Sequence, residues 1–573
     1  MKSLDRMTKL SMIGLAWFLI FNALFGFIPN GLGSWSAGID MQRYTVVSQG
    51  RLGPSFLDST QASWFQQASG DPVYGLFNGV LNILTNTTSL SQALTVLVVM
   101  PPPLLLYAAA TLAAAREFAK LIQGRARRWG LPLLPLMFLL PVGRAHVMVL
   151  GYAGNALASG LVVLILWLLL RISISPRGSL PFTAITITLI FVLINTYHTW
   201  STYFAILSAV VFVWNGVRRK VAHRPLTSAV RLTILAPLFW LASAIYDSNA
   251  ALYARFQTAV TVLHTMSPLE SPIGLLFPET GGPLAVYLRR EPIFNPGHLS
   301  LLISLALFLL LLLLSTVILN RTMARQNGNP VASYGMGLLV GTITTVPALF
   351  LLGGVDLAYA RGLEFASVTG PFIVGCALVS APDDTRVTEN RISPKSTRHN
   401  SRSWARWMMV LVVVFVTVNI VASAYDVQSL SHDELLSSSE AASVLSLSKV
   451  TSTATVIWSD DRVASAFLYY QPKAFVTFAL AYSPEEDARA VISVFYSTDC
   501  PSGAQYLRGT GAQLAVVTSY MARDGPVQRA APLVPAPEAN ECFMTSASEV
   551  YDNGAVSVFN LSSMYSFYGI PEK

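Results

Sequence analysis

Along the first three quarters of the chain, apolar positions come in runs of about twenty, separated by short clusters of charged or turn-forming residues. A helix of that length crosses the ~30 Å hydrocarbon core of a bilayer. Runs bounded in this way predict about eleven spans, near 10–29, 92–113, 130–143, 148–170, 181–198, 200–216, 229–246, 298–319, 331–353, 363–381 and 407–425. Arg144 and His146 interrupt the stretch that holds the third and fourth. Pro101, Pro102 and Pro103 fall inside the second, where neighbouring helices must satisfy the carbonyls they free.

Beyond residue 425 the pattern becomes that of a small α/β domain. A Ser-rich helical stretch, Ser429 to Leu447, is followed by a buried strand over Ala454 to Trp458, then Ser459, Asp460, Asp461 and a helical run from Arg462 to Tyr470. A second helix is expected over Ser483 to Phe495 and a second strand over Gln513 to Thr518. Val550 to Phe559 alternates around Asn553-Gly554, the turn pair of a tight hairpin. Asp460 and Asp461, at the end of a strand, are placed either to bind a ligand or to cap the next helix. The expected layout is a membrane domain over 1–425 and an α/β domain over 426–573.

Composition agrees and adds an exclusion. Of 573 residues, 53% are hydrophobic and 12% charged, about half the charged share of a typical soluble domain. A soluble multidomain enzyme is excluded, and 11% aromatic content speaks against a disordered chain.

Charge then orients the spans. Lys2, Arg6 and Lys9 precede the first, and the alternate connections hold Arg116 to Arg128, Arg171 and Arg177, Arg218 to Arg224, Arg321 and Arg325, and Arg386 to Arg406. The other connections hold far fewer basic residues. Under the positive-inside rule the N-terminus is inside and the C-terminus outside, which makes the α/β domain extracytoplasmic in a multi-pass protein of the cell membrane. That domain has 16 acidic and 8 basic residues, net −8, so residues 1–425 carry +16 of the total +8. The basic balance therefore points to anionic headgroups of the bilayer rather than to nucleic acid, since no basic stripe with interleaved aromatics is present. Cys376 lies in a span as a small apolar residue. Cys500 and Cys542 share the outer domain, where a disulfide is expected.

Two outer loops are long, 30–91 and 247–297. They mix aromatics with Asp40, Arg43, Asp58 and Asp71 in the first, and the second carries Asp247, Arg255, Glu270, Glu279, Arg289, Arg290 and Glu291. The outer loop 354–362 adds Asp356 and Arg361, with Glu364 at the start of the next span. Carboxylates and guanidiniums gathered at one membrane face are candidates for acid–base work and for holding a phosphate.

A first span, a long first outer loop with an early Asp, a stack of further spans and an outer α/β domain together resemble the GT-C glycosyltransferases. Asp40 to Gly53, Asp71 to Thr88, Leu193 to Phe204, Val456 to Tyr470 and Glu549 to Phe559 carry the likeness. The chain has no WWDYG-like signature and no paired Asp-Glu after the first span, so the likeness is to the superfamily's shape rather than to one activity. It implies an enzyme of the cell envelope that moves a sugar, with inversion, from a polyprenyl-phosphate donor to a glycan or protein acceptor. It implies Asp40 as general base and Asp71 as a residue that positions the acceptor or a divalent ion, Mg or Mn. Arg289, Arg290 and Arg361, with Arg144 behind them, are implied as partners of the leaving phosphate, and His198 as a partner of sugar or phosphate. No cofactor is fixed by the likeness. A lipid-linked saccharide transporter or flippase, and a non-catalytic assembly protein, are the competing expectations. The first calls for inverted repeats and broken helices with midplane charges, whereas no repeat is seen and the spans contain few charges.

Overall fold

A computed structural model describes residues 101–122, 137, 153–175, 180–196, 198–221, 228–246, 296–325, 329–356, 362–380, 407–424, 436–452, 455–460, 462–463, 466–467, 475–478, 499–524, 527–528, 531–532 and 541–571. The apolar runs within them are helices: α1 Pro101–Leu121, α2 Ala153–Ile174, α3 Leu180–Thr196, α4 His198–Val221, α5 Ser228–Thr233, α6 Leu235–Tyr246, α7 Pro296–Arg325, α8 Pro330–Asp356, α9 Gly362–Ser380 and α10 Trp407–Ala424. Among the described residues, stretches within α2, α4, α7 and α10 are long and apolar enough to cross a bilayer.

The seventh expected span is two helices rather than one. A turn at Ile234 separates α5 from α6. Pro237 is the reason: it has no N–H to offer the carbonyl of Thr233, and its ring crowds that carbonyl.

Many hydroxyls inside these helices bond the carbonyl a turn back, which satisfies them where no water is present. Ser159 donates to Asn155 O at 2.6 Å, Thr186 to Phe182 O at 2.6 Å and Ser315 to Leu311 O at 2.7 Å. Other polar groups tie helix to helix. Tyr334 donates to Leu166 O at 3.0 Å, Ser333 to Asn215 Oδ1 at 2.7 Å, Ser304 to Asn419 Oδ1 at 2.8 Å and Thr322 to Ser380 O at 2.9 Å.

These ties fix relative direction. The ends of α2 and α4 meet the start of α8, the ends of α7 and α9 meet each other, and the start of α7 meets the end of α10. Gly160 of α2 lies against Tyr107 of α1, and Phe118 packs on Phe372 of α9. Arg171 at the end of α2 sits over the Phe182 ring at the start of α3, 4.5 Å from its centroid. Hence α1, α2, α4, α7 and α9 run one way, and α3, α6, α8 and α10 run the other. All Lys and Arg of the described helices before residue 425 fall at one end: Arg116, Lys120, Arg171, Arg218, Arg219, Lys220, Arg231, Arg321 and Arg325. At the opposite end the charged positions are Asp356, where α8 stops, and Glu364 in the first turn of α9.

The C-terminal residues form a mixed sheet in the order β2-β1-β3-β7-β6. Its strands are β1 Val456–Ser459, β2 Phe475–Phe478, β3 Leu514–Thr518, β6 Ser548–Asp552 and β7 Val556–Asn560, with β4 Val527–Gln528 and β5 Ala531–Pro532 pairing separately. β1 is parallel to both β2 and β3, while β7 is antiparallel to β3 and to β6. Both faces are covered, which is why the central strands are continuous apolar runs rather than alternating ones. Trp458, Ala515, Val517 and Phe559 enter one apolar cluster, and Ile457, Val516, Val556 and Val558 the other.

Five helices complete this part: α11 Ser438–Val450, α12 Cys500–Gly509, α13 Ser519–Asp524, α14 Glu541–Ser546 and α15 Leu561–Phe567. α11 starts at a reciprocal cap in which Ser437 Oγ accepts from Glu440 N and Glu440 Oε2 accepts from Ser437 N. The Asn553-Gly554 pair makes the β6–β7 turn, with Gly554 at φ +76°. Asn553 Nδ2 donates to Ser443 Oγ of α11 at 2.7 Å and docks that turn on the helix. The outer edge strand β6 is protected from strand addition by Glu549, Asp552 and a bulge between Glu549 and Tyr551.

Candidate functional site

Six of the residues expected to act, Asp40, Asp71, Arg144, Arg289, Arg290 and Arg361, lie outside the described residues, as does the expected helix over Ser483 to Phe495. His198 is the first residue of α4, at the acidic end of the helices; its side chain is also outside them. Gly362, the residue after Arg361, begins α9 at the same end.

The helix ends that would flank these residues converge. Trp200, two residues after His198 and fully buried, donates from Nε1 to Asn155 Oδ1 of α2 at 3.2 Å. Its ring lies 5.5 Å from that of Phe365 on α9, and Tyr203 is 5.3 Å from the same ring. An aromatic knot thus joins the starts of α2, α4 and α9. Glu364 adjoins this knot and is only 3% exposed. Ionisable side chains buried among apolar helices are candidates for function, and Glu364 is one. Glu364 was visible in the sequence as an acidic residue opening an apolar run; that it is buried became clear only from the packing. Asn155, Ser201 and Ser367, all buried, add polar groups around the same helix ends.

A second buried ionic centre lies in the sheet. Parallel strands on both sides of β1 make the carboxyl ends of β1 and β3 a crevice where α/β sheets bind ligands. Here the crevice is filled by the protein's own side chains. Arg462, 0% exposed, donates from Nε to Asp460 Oδ2 at 3.1 Å and pairs with Glu440 Oε2 at 3.9 Å. Its Nη2 donates to Thr518 Oγ1 at 3.4 Å, and its guanidinium carbon lies 4.0 Å from the Tyr520 ring centroid. Burial alone would pull its pKa down; Asp460, then Glu440 and Tyr520, more than reverse that and hold it above the ordinary arginine value. Asp460 Oδ1 also accepts from Val463 N at 3.0 Å. Of the two readings open for Asp460, helix cap is the one observed, while Asp461 lies outside the described residues. The role of Arg462 as the hub had no signal in the sequence beyond its place after two acids.

Cys500 and Cys542 form a disulfide, with Cα atoms 5.6 Å apart, that ties α12 to α14. Among the described residues no group of three His, Cys, Asp or Glu side chains could hold a metal ion.

No family model matches the chain, and neither does any curated protein. Among solved structures it is similar to the Archaeoglobus fulgidus oligosaccharyltransferase tethered to an acceptor peptide, at 10% identity and TM-score 0.49, over 90% of this chain and 69% of that one. It is also similar to the oligosaccharyltransferase AglB of that organism in complex with an inhibitory peptide and a dolichol-phosphate, at 10% identity and TM-score 0.48, over 89% and 69%. ArnT from Cupriavidus metallidurans bound to undecaprenyl phosphate is similar at 12% identity and TM-score 0.38, over 96% and 98%. Identities this low bear on fold alone, and at these TM-scores they assign no site or substrate to this chain.

Proposed function

We propose that the chain is a multi-pass membrane glycosyltransferase of the GT-C type, taking a sugar from a polyprenyl-phosphate donor to a glycan or protein acceptor. The observation that carries this reading is the acidic end of the helices, where the starts of α2, α4 and α9 meet around Trp200 and Phe365 beside the buried Glu364. The positive-inside rule puts the basic end in the cytoplasm and this end on the outer face. Both long loops, 30–91 and 247–297, would then open onto the same side.

In this reading the Asp40 carboxylate takes the proton of the acceptor hydroxyl as its oxygen attacks the anomeric carbon. The carbon–oxygen bond to the lipid phosphate breaks with inversion, and the developing charge on that phosphate is met by Arg289, Arg290 and Arg361, with Arg144 behind them. Asp71 and His198 orient acceptor and sugar, and the buried Glu364 holds its neighbours in register.

The test is sugar release and transfer from polyprenyl-phosphate sugars by the purified protein in lipid. Transfer by the wild type that disappears in Asp40→Asn, with unchanged membrane insertion, supports the reading. Transbilayer movement of a lipid-linked sugar without transfer would instead make the protein a flippase. Absence of both would leave an assembly protein.

A further inference from the structure

Asn155 does more than fill space among apolar helices. It stands in the first turn of α2, is 2% exposed, and its Oδ1 accepts at 3.2 Å from Trp200 Nε1 in the first turn of α4. Apolar packing tolerates sliding of one helix along another, whereas a hydrogen bond between one donor and one acceptor fixes a single register. The backbone under Asn155 is held as well, because Ser159 Oγ donates to Asn155 O. A leucine at 155 and a phenylalanine at 200 would occupy this space with no polar group to satisfy. The sequence places an amide and an indole there instead.

What the bond holds in register lies at the acidic end. Trp200 packs on Phe365 in the first turn of α9, and Tyr203 packs on both rings. Phe365 follows the buried Glu364 directly in sequence. The path from amide to carboxyl therefore runs from Asn155 to Trp200, to Phe365 and along the backbone to Glu364, all of it buried. We propose that Asn155 is a positioning residue for sugar transfer, setting through Trp200 and Phe365 where Glu364 stands relative to the starts of α2 and α4. That role rests on the transfer reaction proposed above, and Asn155 itself need touch neither donor nor acceptor. A misplacement of about 1 Å at reacting groups can cost about 100-fold in rate, so a register bond of this kind has leverage on turnover.

The experiment measures kcat and KM for transfer from a polyprenyl-phosphate sugar by the full chain in lipid, together with the thermal unfolding midpoint. Asn155→Leu removes the acceptor at similar volume and should lower kcat about tenfold, with KM for the donor within about twofold of wild type. Trp200→Phe keeps a ring and removes the donor; it should give the same split, and it carries the test if Asn155→Leu does not fold. In a Glu364→Gln background either substitution should cost less than about a further twofold, because its effect passes through that carboxyl group. A bond that only stabilises the fold would instead lower transfer by equal factors in both backgrounds, in step with the midpoint. The proposal is overturned if a folded variant turns over as the wild type does, or if the two backgrounds give equal factors. A wild type that transfers no sugar overturns the proposed reaction and this role together, whereas an active wild type with either of those results overturns the role alone.

Discussion

Arg462 donates to the Asp460 carboxylate at 3.1 Å with both side chains out of contact with water. The second carboxylate, Glu440, arrives from α11, so one guanidinium ties that helix to the carboxyl ends of β1 and β3. Removing one partner from such a centre leaves the others buried and uncompensated, which costs about 3–5 kcal/mol. Arg462→Met is expected to destabilise the sheet by that amount, read from the fluorescence of the buried Trp458 during denaturation. Replacing Arg462, Asp460 and Glu440 together by apolar residues should cost less.

The disulfide closes a loop between residues 42 apart in sequence. On the chain-entropy account a loop of that size contributes about 4 kcal/mol. Reduction, or Cys500→Ser with Cys542→Ser, should lower the unfolding midpoint of the sheet while leaving the helices before residue 425 helical by circular dichroism.

Tyr565 gives the sheet a dependence on alkaline pH. Its hydroxyl donates to Ala512 O at 2.6 Å, and burial, only partly offset by Arg508, raises its pKa above the usual tyrosine value. The folded state thus holds the phenolic proton more tightly than the unfolded one. Its contribution is complete below the unfolded value of about 10 and is lost as pH rises through the folded one. Stability should fall above about pH 10, and Tyr565→Phe should flatten that fall while lowering stability at neutral pH.

Packing between helices can be probed at two glycines. A Cβ on Gly375 would come within 2.9 Å of the buried Phe118 ring, whereas a Cβ on Gly216 would meet nothing within 4 Å. Gly375→Ala should cost about 1–3 kcal/mol through overpacking. Gly216→Ala should add up to about 1 kcal/mol, because alanine loses less backbone freedom in a helix. Thermal unfolding of the two variants side by side measures both.

Glu364→Gln removes the buried carboxyl group and keeps the shape of the side chain. If Glu364 holds the reaction site in register at the acidic end, transfer should fall at least about tenfold, while the aromatic knot of Trp200, Tyr203 and Phe365 keeps the fold. Activity equal to the wild type with intact folding would remove Glu364 from the site.

Much of this architecture is written locally. Apolar runs such as Leu161 to Leu170 can only be satisfied as helices in hydrocarbon, so their place and approximate length follow from composition along the chain. Asn553-Gly554 specifies its turn because the turn needs a residue at positive φ. The break at Ile234 was equally local, since Pro237 cannot complete the ladder, yet an apolar run conceals it.

Contact between distant residues is a different matter. No local rule says that Phe365 meets Trp200, that Asn419 meets Ser304, or that Arg462 reaches Glu440, because each pairing joins elements far apart in sequence whose side chains are compatible with many neighbours. The sequence by itself determined a membrane protein with sorted charges and an α/β ending. Tertiary packing alone decided that Glu364 is buried at the acidic end and that Asp460 caps a helix beside a buried arginine. Burial and pairing are properties of the space between elements, and that space exists only once the helices and strands have closed on one another.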